Sequence, residues 1–332
     1  MSAETPINVV GGGAWGTALA NAAAAAGHPV TLWLRDAAAA AALQARRENP
    51  RYLPGVPLHG RIAATAQPER LAGARATLLV VPAQTVRGVL ETLRGPLASA
   101  GPVILCAKGI ERGSDSFMSA VAAEVLPAGT PVAVLSGPSF AADVARGLPT
   151  AVTLAAADPG LAAALSGLLS GPSLRLYHTD DVRGVEIGGA GKNVLAIACG
   201  IVAGRGLGES ARAALIARAF AELMRFARAF GGRPETLMGL SGLGDLVLTA
   251  SSPQSRNFAF GQRLGAGAGP AEAAGGKLAE GAFTAGALAA LAAARGIEMP
   301  VAAAVAAIVA GAAGVDDVVA GLLARPLRGE TD

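Results

Sequence analysis

Ile7-Asn8-Val9-Val10-Gly11-Gly12-Gly13-Ala14-Trp15-Gly16-Thr17-Ala18-Leu19-Ala20 decides the fold. Four β-favouring residues run straight into a glycine cluster, and the cluster opens an alanine-rich helix. Gly11, Gly13 and Gly16 fit the spacing G-x-G-x-x-G, in which the first glycine permits a tight turn, the second lets backbone approach a pyrophosphate, and the third lets helix pack on strand. The orphan N–H groups and positive dipole end of that helix would face the anion. A bare match means little in a chain with 45 glycines, but the strand before it and the helix after it supply the context. A second β run, Val30-Thr31-Leu32-Trp33-Leu34, ends at Arg35-Asp36, near the ~20-residue distance at which a ribose-binding acid is expected. The stretch reads as a dinucleotide site rather than a structural glycine turn.

Outward from this unit, strand signals recur at Thr77–Val81, Val103–Ala107, Pro131–Leu135, Ala151–Leu154 and Leu174–Tyr177. Helical segments lie between most of them, at Thr85–Leu93, Asp115–Leu126 and Pro159–Leu169, which implies a largely parallel, doubly wound sheet. Asn49-Pro50-Arg51-Tyr52-Leu53-Pro54-Gly55 reads as a loop able to line a site. Beyond about Asp181 the pattern turns helical: Val182–Val202, Glu209–Phe230, Asn257–Leu264, Phe283–Arg295, Val301–Ala312 and Asp316–Leu323. The expected fold class is α/β, a Rossmann-type doubly wound sheet over residues 1–185 that binds the dinucleotide, followed by an all-α domain over 186–332.

Composition narrows the function classes. The chain has 332 residues, 52% hydrophobic but only 4% aromatic, so its mean hydropathy of +0.47 reflects Ala, Leu and Val. The run Met299–Val315 is 17 residues long, contains Pro300 and is short for a membrane span of ~20 residues; it reads as a buried helix. The N-terminus has neither the basic flank nor the apolar core of a signal peptide. Net charge is +3 with the basic residues scattered, which argues against a nucleic-acid partner and suits small anionic ligands. Cys106 and Cys199 sit in apolar runs without CxxC spacing and read as buried thiols in a reducing cytoplasm. His28, His59 and His178 have no ligand spacing, so no metal site is expected.

Ligands of open α/β sheets sit beyond the carboxyl ends of the strands, where this sequence places Lys108-Gly109 and Ser136-Gly137-Pro138-Ser139-Phe140-Ala141. Lys108 ends an apolar strand in a protein with few lysines; a snorkelling lysine is the alternative reading. In the helical half, Gly188-Gly189-Ala190-Gly191-Lys192-Asn193 lets another element approach the backbone. Burial there would lower the Lys192 pKa toward ~7–8, where an amine can both give and take a proton; a capping or salt-bridging lysine fits equally. Asp245, among glycines, would orient an ammonium or a substrate hydroxyl. Arg256 offers a planar fork for phosphate, flanked by Ser255 and Asn257 at a helix start where anions already gain, although both are also ordinary N-cap residues. Glu280 would accept from a ribose or a nicotinamide amide, or lie in a solvated loop.

Together with Tyr52-Leu53-Pro54, Gly242-Leu243-Gly244-Asp245-Leu246 and Ser255-Arg256-Asn257, these motifs occur in an order that resembles the bacterial NAD(P)-dependent glycerol-3-phosphate dehydrogenases, over about residues 7–325. The resemblance implies reversible hydride transfer between NAD(P)H and dihydroxyacetone phosphate, giving sn-glycerol 3-phosphate for phospholipid synthesis, in a cytoplasmic homodimer. It implies Lys192 as proton donor and acceptor, Lys108 as a second group on the same oxygen, and Gly137, Ser139, Asp245, Ser255, Arg256 and Asn257 around the substrate. Gly11, Gly13, Ala14, Trp15, Gly16, Arg35, Tyr52, Lys108, Ala141, Arg256, Leu278 and Glu280 would contact the cofactor. The family commonly has Ser where this chain has Ala14, and its loop between Asn257 and Glu280 is slightly longer. Arg35 favours NADPH and Asp36 favours NADH, so use of either cofactor with a preference for NADPH is expected. The rival readings are another two-domain hydroxyacid or ketopantoate-type dehydrogenase, which has no need of the phosphate-suited cluster, and a nucleotide sensor, which needs neither lysine.

Overall fold

In the computed structural model, which describes residues 5–276, 279–326 and 329, the chain order of strands is β1 (Ile7–Val10), β2 (Val30–Trp33), β3 (Glu48–Asn49), β4 (Leu53–Pro57), β5 (Ile62–Thr65), β6 (Ala76–Leu79), β7 (Val103–Leu105), β8 (Val132–Ser136), β9 (Thr150–Ala156) and β10 (Leu174–Thr179). Eight of them form one sheet in the order β10-β9-β8-β7-β6-β1-β2-β5. From β5 to β8 the pairings are parallel, and the direction of winding reverses between β1 and β6. A crevice for a dinucleotide therefore opens beyond the carboxyl ends of those two strands.

Helices α1 (Ala14–Ala25), α2 (Ala37–Arg46), α3 (Val86–Leu97), α4 (Met118–Val125), α5 (Ala141–Ala145) and α6 (Pro159–Leu169) cover the sheet. Side chains alternate across each strand: Ile7 and Val9 face the layer of α1, α2 and α6, while Val10 and Leu79 face α3 and α4. Gly11 has φ +122°, and a Cβ there would meet Val80 O at 2.3 Å. Any side chain would prise the turn off β6.

The remaining helices are α7 (Val182–Gly204), α8 (Glu209–Ala229), α9 (Pro234–Met238), α10 (Asp245–Ser251), α11 (Arg256–Gly265), α12 (Pro270–Ala274), α13 (Glu280–Ala294), α14 (Pro300–Val309) and α15 (Val315–Leu323), with a π-helical turn at Leu240–Gly244. Helix α7 runs through their middle, and by length and composition it alone among the described helices would cross a membrane; 89% of that window is buried inside the protein. Gly200 and Gly204 on α7 face Gly261 and Gly265 on α11 so closely that a Cβ on any of the four would come within 2.0–2.2 Å of the other helix's carbonyls. This small-xxx-small pairing lets two backbones touch.

Several elements differ from expectation. Asn49–Gly55 is not a free loop, since Glu48–Asn49 and Leu53–Pro57 pair as a hairpin. Its strands are short and carry two prolines, which hid them. β5 was too short and alanine-rich to register, and β9 runs antiparallel to β8 where a parallel strand was expected. Helix α4 starts at Met118 rather than Asp115, because Asp115 adopts a left-handed φ of 52°.

The outer edge of β10 is covered at its first half. Ser166 Oγ donates to Leu176 O at 2.7 Å, Leu176 N donates to Ser170 Oγ at 3.1 Å, and Gly171 N donates to Leu174 O at 2.9 Å. Two serines one turn apart at the end of α6 thus occupy strand groups that face away from β9.

Candidate active site

The site begins where β1 ends. Gly13 is the N-cap residue of α1 in extended conformation with no side chain to cap it, and a Cβ built on it meets nothing within 4 Å. Open space thus lies in front of the orphan N–H groups of Ala14, Trp15 and Gly16, as an anion would require. Gly16 packs onto the turn itself, its Cβ position 1.9 Å from Gly11 O. At the end of β2, Arg35 is exposed. The Asp36 carboxylate accepts from Ala39 N at 3.0 Å as the cap of α2. Tyr52 at the hairpin tip is 47% exposed, with the Arg51 guanidinium 5.1 Å from its ring centre. Leu278 lies outside the described residues.

Two of the chain's lysines meet on one carboxylate. Lys108 follows β7, and its Nζ donates to Asp245 Oδ2 at 2.7 Å and to Gly137 O at 2.9 Å. Lys192, midway along α7, donates to Asp245 Oδ1 at 2.6 Å and to Thr249 Oγ1 at 3.0 Å. Side-chain exposures of 15%, 9% and 1% for Lys108, Lys192 and Asp245 put the cluster at the rim of a dry region. Burial pushes the Lys192 amine down to about 8, with the Lys108 charge adding to the fall and Asp245 opposing it. Burial alone would raise the Asp245 pKa, but the two ammonium groups together hold it below the ordinary carboxylate value. Asp245 is therefore an anion, and Lys192 is poised between its two forms near neutral pH.

Local packing explains how these groups meet. On α7 the small residues before Lys192 admit three neighbours: a Cβ on Gly188 would meet Ser241 O at 2.7 Å, one on Gly189 would meet Ser136 Oγ at 2.8 Å, and one on Gly191 would meet Leu223 at 2.4 Å. The π-helical turn seats against α7 through Gly188, which brings Asp245 at the head of α10 onto Lys192. π-turns recur at functional sites, and here the wider turn sets the angle at which α10 presents its first carboxylate.

A chain of amides holds the next layer. Asn193 Nδ2 donates to Lys108 O at 3.0 Å, Asn257 Nδ2 donates to Asn193 Oδ1 at 2.9 Å, and Gly281 N donates to Asn257 Oδ1 at 3.0 Å. Asn257 is thus a buried link between α7, α11 and α13, with one of its two amide hydrogens used in the link. Ser255 Oγ accepts from Phe258 N at 3.2 Å and caps α11, so it takes the capping role left open by its sequence. Arg256 is exposed at the first turn of that helix, and no described residue shares a hydrogen bond with its guanidinium. Ser139 Oγ donates to Gly137 O at 3.0 Å, and Ala141 opens α5. Glu280 accepts from Ala83 N at 3.2 Å, and burial raises its pKa; it lies at the seam between sheet and helices, not in a solvated loop.

Thr249 and Asn193 are the groups at the lysine cluster that sequence reasoning did not assign a role. Thr249 stands four residues after Asp245, hence on the same helical face, and that spacing was the available signal. Among the described residues, no three His, Cys, Asp or Glu gather to hold a metal ion.

Family models agree with this geometry. The NAD-dependent glycerol-3-phosphate dehydrogenase N-terminus matches residues 6–162, and the C-terminus of the same family matches residues 181–320. The chain belongs to the NAD-dependent glycerol-3-phosphate dehydrogenase family. It is 91% identical over 332 residues, with full coverage of both chains, to the glycerol-3-phosphate dehydrogenase [NAD(P)+] of Methylobacterium radiotolerans. The crystal structure of glycerol-3-phosphate dehydrogenase from Coxiella burnetii superposes with a TM-score of 0.91 at 40% identity, covering 97% of this chain and 99% of that one. A ketopantoate reductase from Ralstonia eutropha shares the fold alone, with a TM-score of 0.61 at 18% identity over 94% of this chain and 99% of its own. As a glycerol-3-phosphate dehydrogenase family member the chain is an NAD(P)-dependent oxidoreductase, and its doubly wound sheet followed by helices is the architecture of these relatives.

Proposed function

We propose that the protein interconverts dihydroxyacetone phosphate and sn-glycerol 3-phosphate with NAD(P)H, supplying the glycerol backbone of phospholipids, and that residues 1–185 serve the cofactor and 186–332 the substrate. The observation that carries this reading is the pair Lys108 and Lys192 on the single carboxylate of Asp245, beside an unengaged guanidinium at the head of α11. The first turn of α1 would hold the pyrophosphate of a nicotinamide cofactor, which when bound would supply or accept the hydride. In reduction the Lys192 ammonium gives its proton to the carbonyl oxygen, and in oxidation the neutral amine takes the hydroxyl proton. Lys108 donates a hydrogen bond to the same oxygen, and Asp245 fixes both nitrogens. Arg256 grips the phosphate as a fork, supported by the N–H groups of the α11 turn, with Gly137 and Ser139 across from it. Trp15, Tyr52, Ala141 and Glu280 would line the nucleotide.

Arg35, exposed at the end of β2, is placed to pair with a 2′-phosphate, while the Asp36 carboxylate caps α2 through Oδ1 and keeps a second oxygen and its charge for the ribose of NADH. This supports NADPH as the better cofactor, with NADH also used. The working form is a cytoplasmic homodimer, as the family resemblance implies.

The test is to measure NADPH and NADH absorbance over time with dihydroxyacetone phosphate. Lys192→Ala should cost at least ~10³-fold in kcat, in line with loss of a proton donor that also polarises the carbonyl. Arg256→Ala should raise KM for the phosphorylated ketone about 100-fold, a loss of roughly 3 kcal/mol in charged hydrogen bonding, while barely changing turnover of unphosphorylated dihydroxyacetone. Equal damage to both ketones would remove Arg256 from the phosphate site, and full activity of Lys192→Ala would overturn the mechanism.

A further inference from the structure

Asn49 lies 5% exposed on β3, away from the lysine cluster, yet its side chain reaches the glycine turn. Its Nδ2 donates to Gly12 O at 2.9 Å and to Thr17 Oγ1 at 2.7 Å. The Thr17 hydroxyl in turn donates to Gly13 O at 2.9 Å. The two amide hydrogens and the one hydroxyl hydrogen are therefore all placed, and they land on Gly12 O, Thr17 Oγ1 and Gly13 O.

We infer that Asn49 is a positioning residue for the cofactor: it holds the Gly12 carbonyl turned into the protein and orients the Thr17 hydroxyl that reinforces the first helical bond, Thr17 N to Gly13 O at 3.0 Å, so that only N–H groups face the pyrophosphate. A carbonyl oxygen facing the anion would repel it, and glycine backbone has no side chain to prevent such a peptide flip. The Asn49 amide supplies that restraint at Gly12 from behind, and the Thr17 hydroxyl adds to the helical N–H that already holds Gly13 O. The open side of Gly13 faces the ligand space and offers no such support. The inference rests on the reading that this turn holds the cofactor's pyrophosphate.

The same residue ends the first strand of the hairpin whose tip carries Arg51 and Tyr52. A separate tether fastens the far end of the hairpin: Asn21 Nδ2 donates to Pro57 O at 3.1 Å, and Asn21 Oδ1 accepts from His59 N at 3.0 Å. Thr17 and Asn21 are one helical turn apart on α1, so the hairpin is laced along one face of that helix. Of these two laces, only that of Asn49 touches the glycine turn, which makes Asn21 a control for the mechanical part of the role.

The experiment measures Kd for NADPH and for ADP-ribose, which keeps the pyrophosphate and lacks nicotinamide, together with kcat, both KM values and Tm. Asn49→Ala and Thr17→Val, the second nearly isosteric and buried, should each weaken both ligands by 10-fold or more. The KM for NADPH should rise in proportion, while kcat at saturating cofactor and KM for dihydroxyacetone phosphate stay within about threefold. Asn21→Ala should lower Tm and leave both Kd values unchanged. Should Asn49→Ala fail to fold, Thr17→Val still decides. Unchanged Kd values in Asn49→Ala and Thr17→Val, with Tm alone reduced, would overturn the inference. Gly13→Asp, which sets a carboxylate in the proposed anion position, separates the two readings. If it abolishes binding while Asn49→Ala and Thr17→Val bind normally, the positioning role fails and the pyrophosphate site stands. If it binds normally too, the site itself is misplaced.

Discussion

In the mechanism proposed above Lys192 donates a proton in one direction of the reaction and accepts one in the other, and its surroundings set the pH at which it changes over. Burial brings the amine to about 8. Below that pH the ammonium needed for ketone reduction dominates; above it the neutral amine needed for alcohol oxidation does. The kcat/KM for reduction should therefore fall as pH rises through about 8 while kcat/KM for oxidation rises through the same window, measured at limiting substrate in both directions. Parallel profiles in the two directions would mean that another group carries the proton. How much of this was legible depended on rarity: Lys108, Lys192 and Asp245 stood out because charged residues are few and these interrupt apolar or glycine-rich runs. Thr249 and Asn193 did not stand out, since a threonine inside a helix and an asparagine after a lysine have ordinary structural uses. Ser255 and Asn257 also serve the frame, Ser255 Oγ as the cap of α11 and Asn257 as a link among α7, α11 and α13, while the Ser255 hydroxyl proton and the second Asn257 amide hydrogen remain available as donors.

At the scale of elements, the glycine-on-glycine contact of α7 with α11 fixes how far Arg256 stands from Lys192. Gly261→Ala would place a methyl group 2.1 Å from Ile197 O, against backbone that cannot rotate aside. The helices must part, with a stability loss on the order of 2–3 kcal/mol, typical of overpacking a tight site. A fall in Tm together with a raised KM for the phosphorylated substrate is expected, whereas Gly286→Ala, whose Cβ meets nothing within 4 Å, should leave KM unchanged. Elements were legible where apolar periodicity was long. The strand–glycine–helix start, α6 and α7 follow from their own residues. The β3–β4 hairpin and β5 did not, because a strand of two to five residues with Pro, Gly and Ala offers too little alternation; tertiary bonds such as those of Asn49 and Asn21 hold the hairpin in place.

For the molecule as a whole, stability carries the mark of a buried acid far from the lysines. Glu222 on α8 accepts from Val301 N at 3.0 Å and Ala302 N at 3.4 Å, capping α14, and burial pushes its pKa up to about 7. The folded state thus keeps a proton that the unfolded chain releases above its ordinary value of 4.5. By linkage this group's contribution is complete below pH 4.5 and is lost as pH rises through about 7. Glu222→Gln should flatten that part of the stability curve, by on the order of 2 kcal/mol between pH 5 and 8, read by chemical denaturation across that range. An unaltered pH dependence would show that the carboxyl titrates normally.

The serines at the end of α6 have a consequence for self-association. A strand at the rim of a sheet is a template onto which a second chain can zip, but along β10 the partners at Leu174 and Leu176 are already taken by groups of the same molecule. A second copy of the chain therefore finds the carbonyls of Leu174 and Leu176 and the Leu176 N–H already in use, which disfavours sheet-to-sheet pairing along that stretch of the border. Two hydroxyl groups act as a hem, closing the fabric where it would otherwise fray into its neighbour.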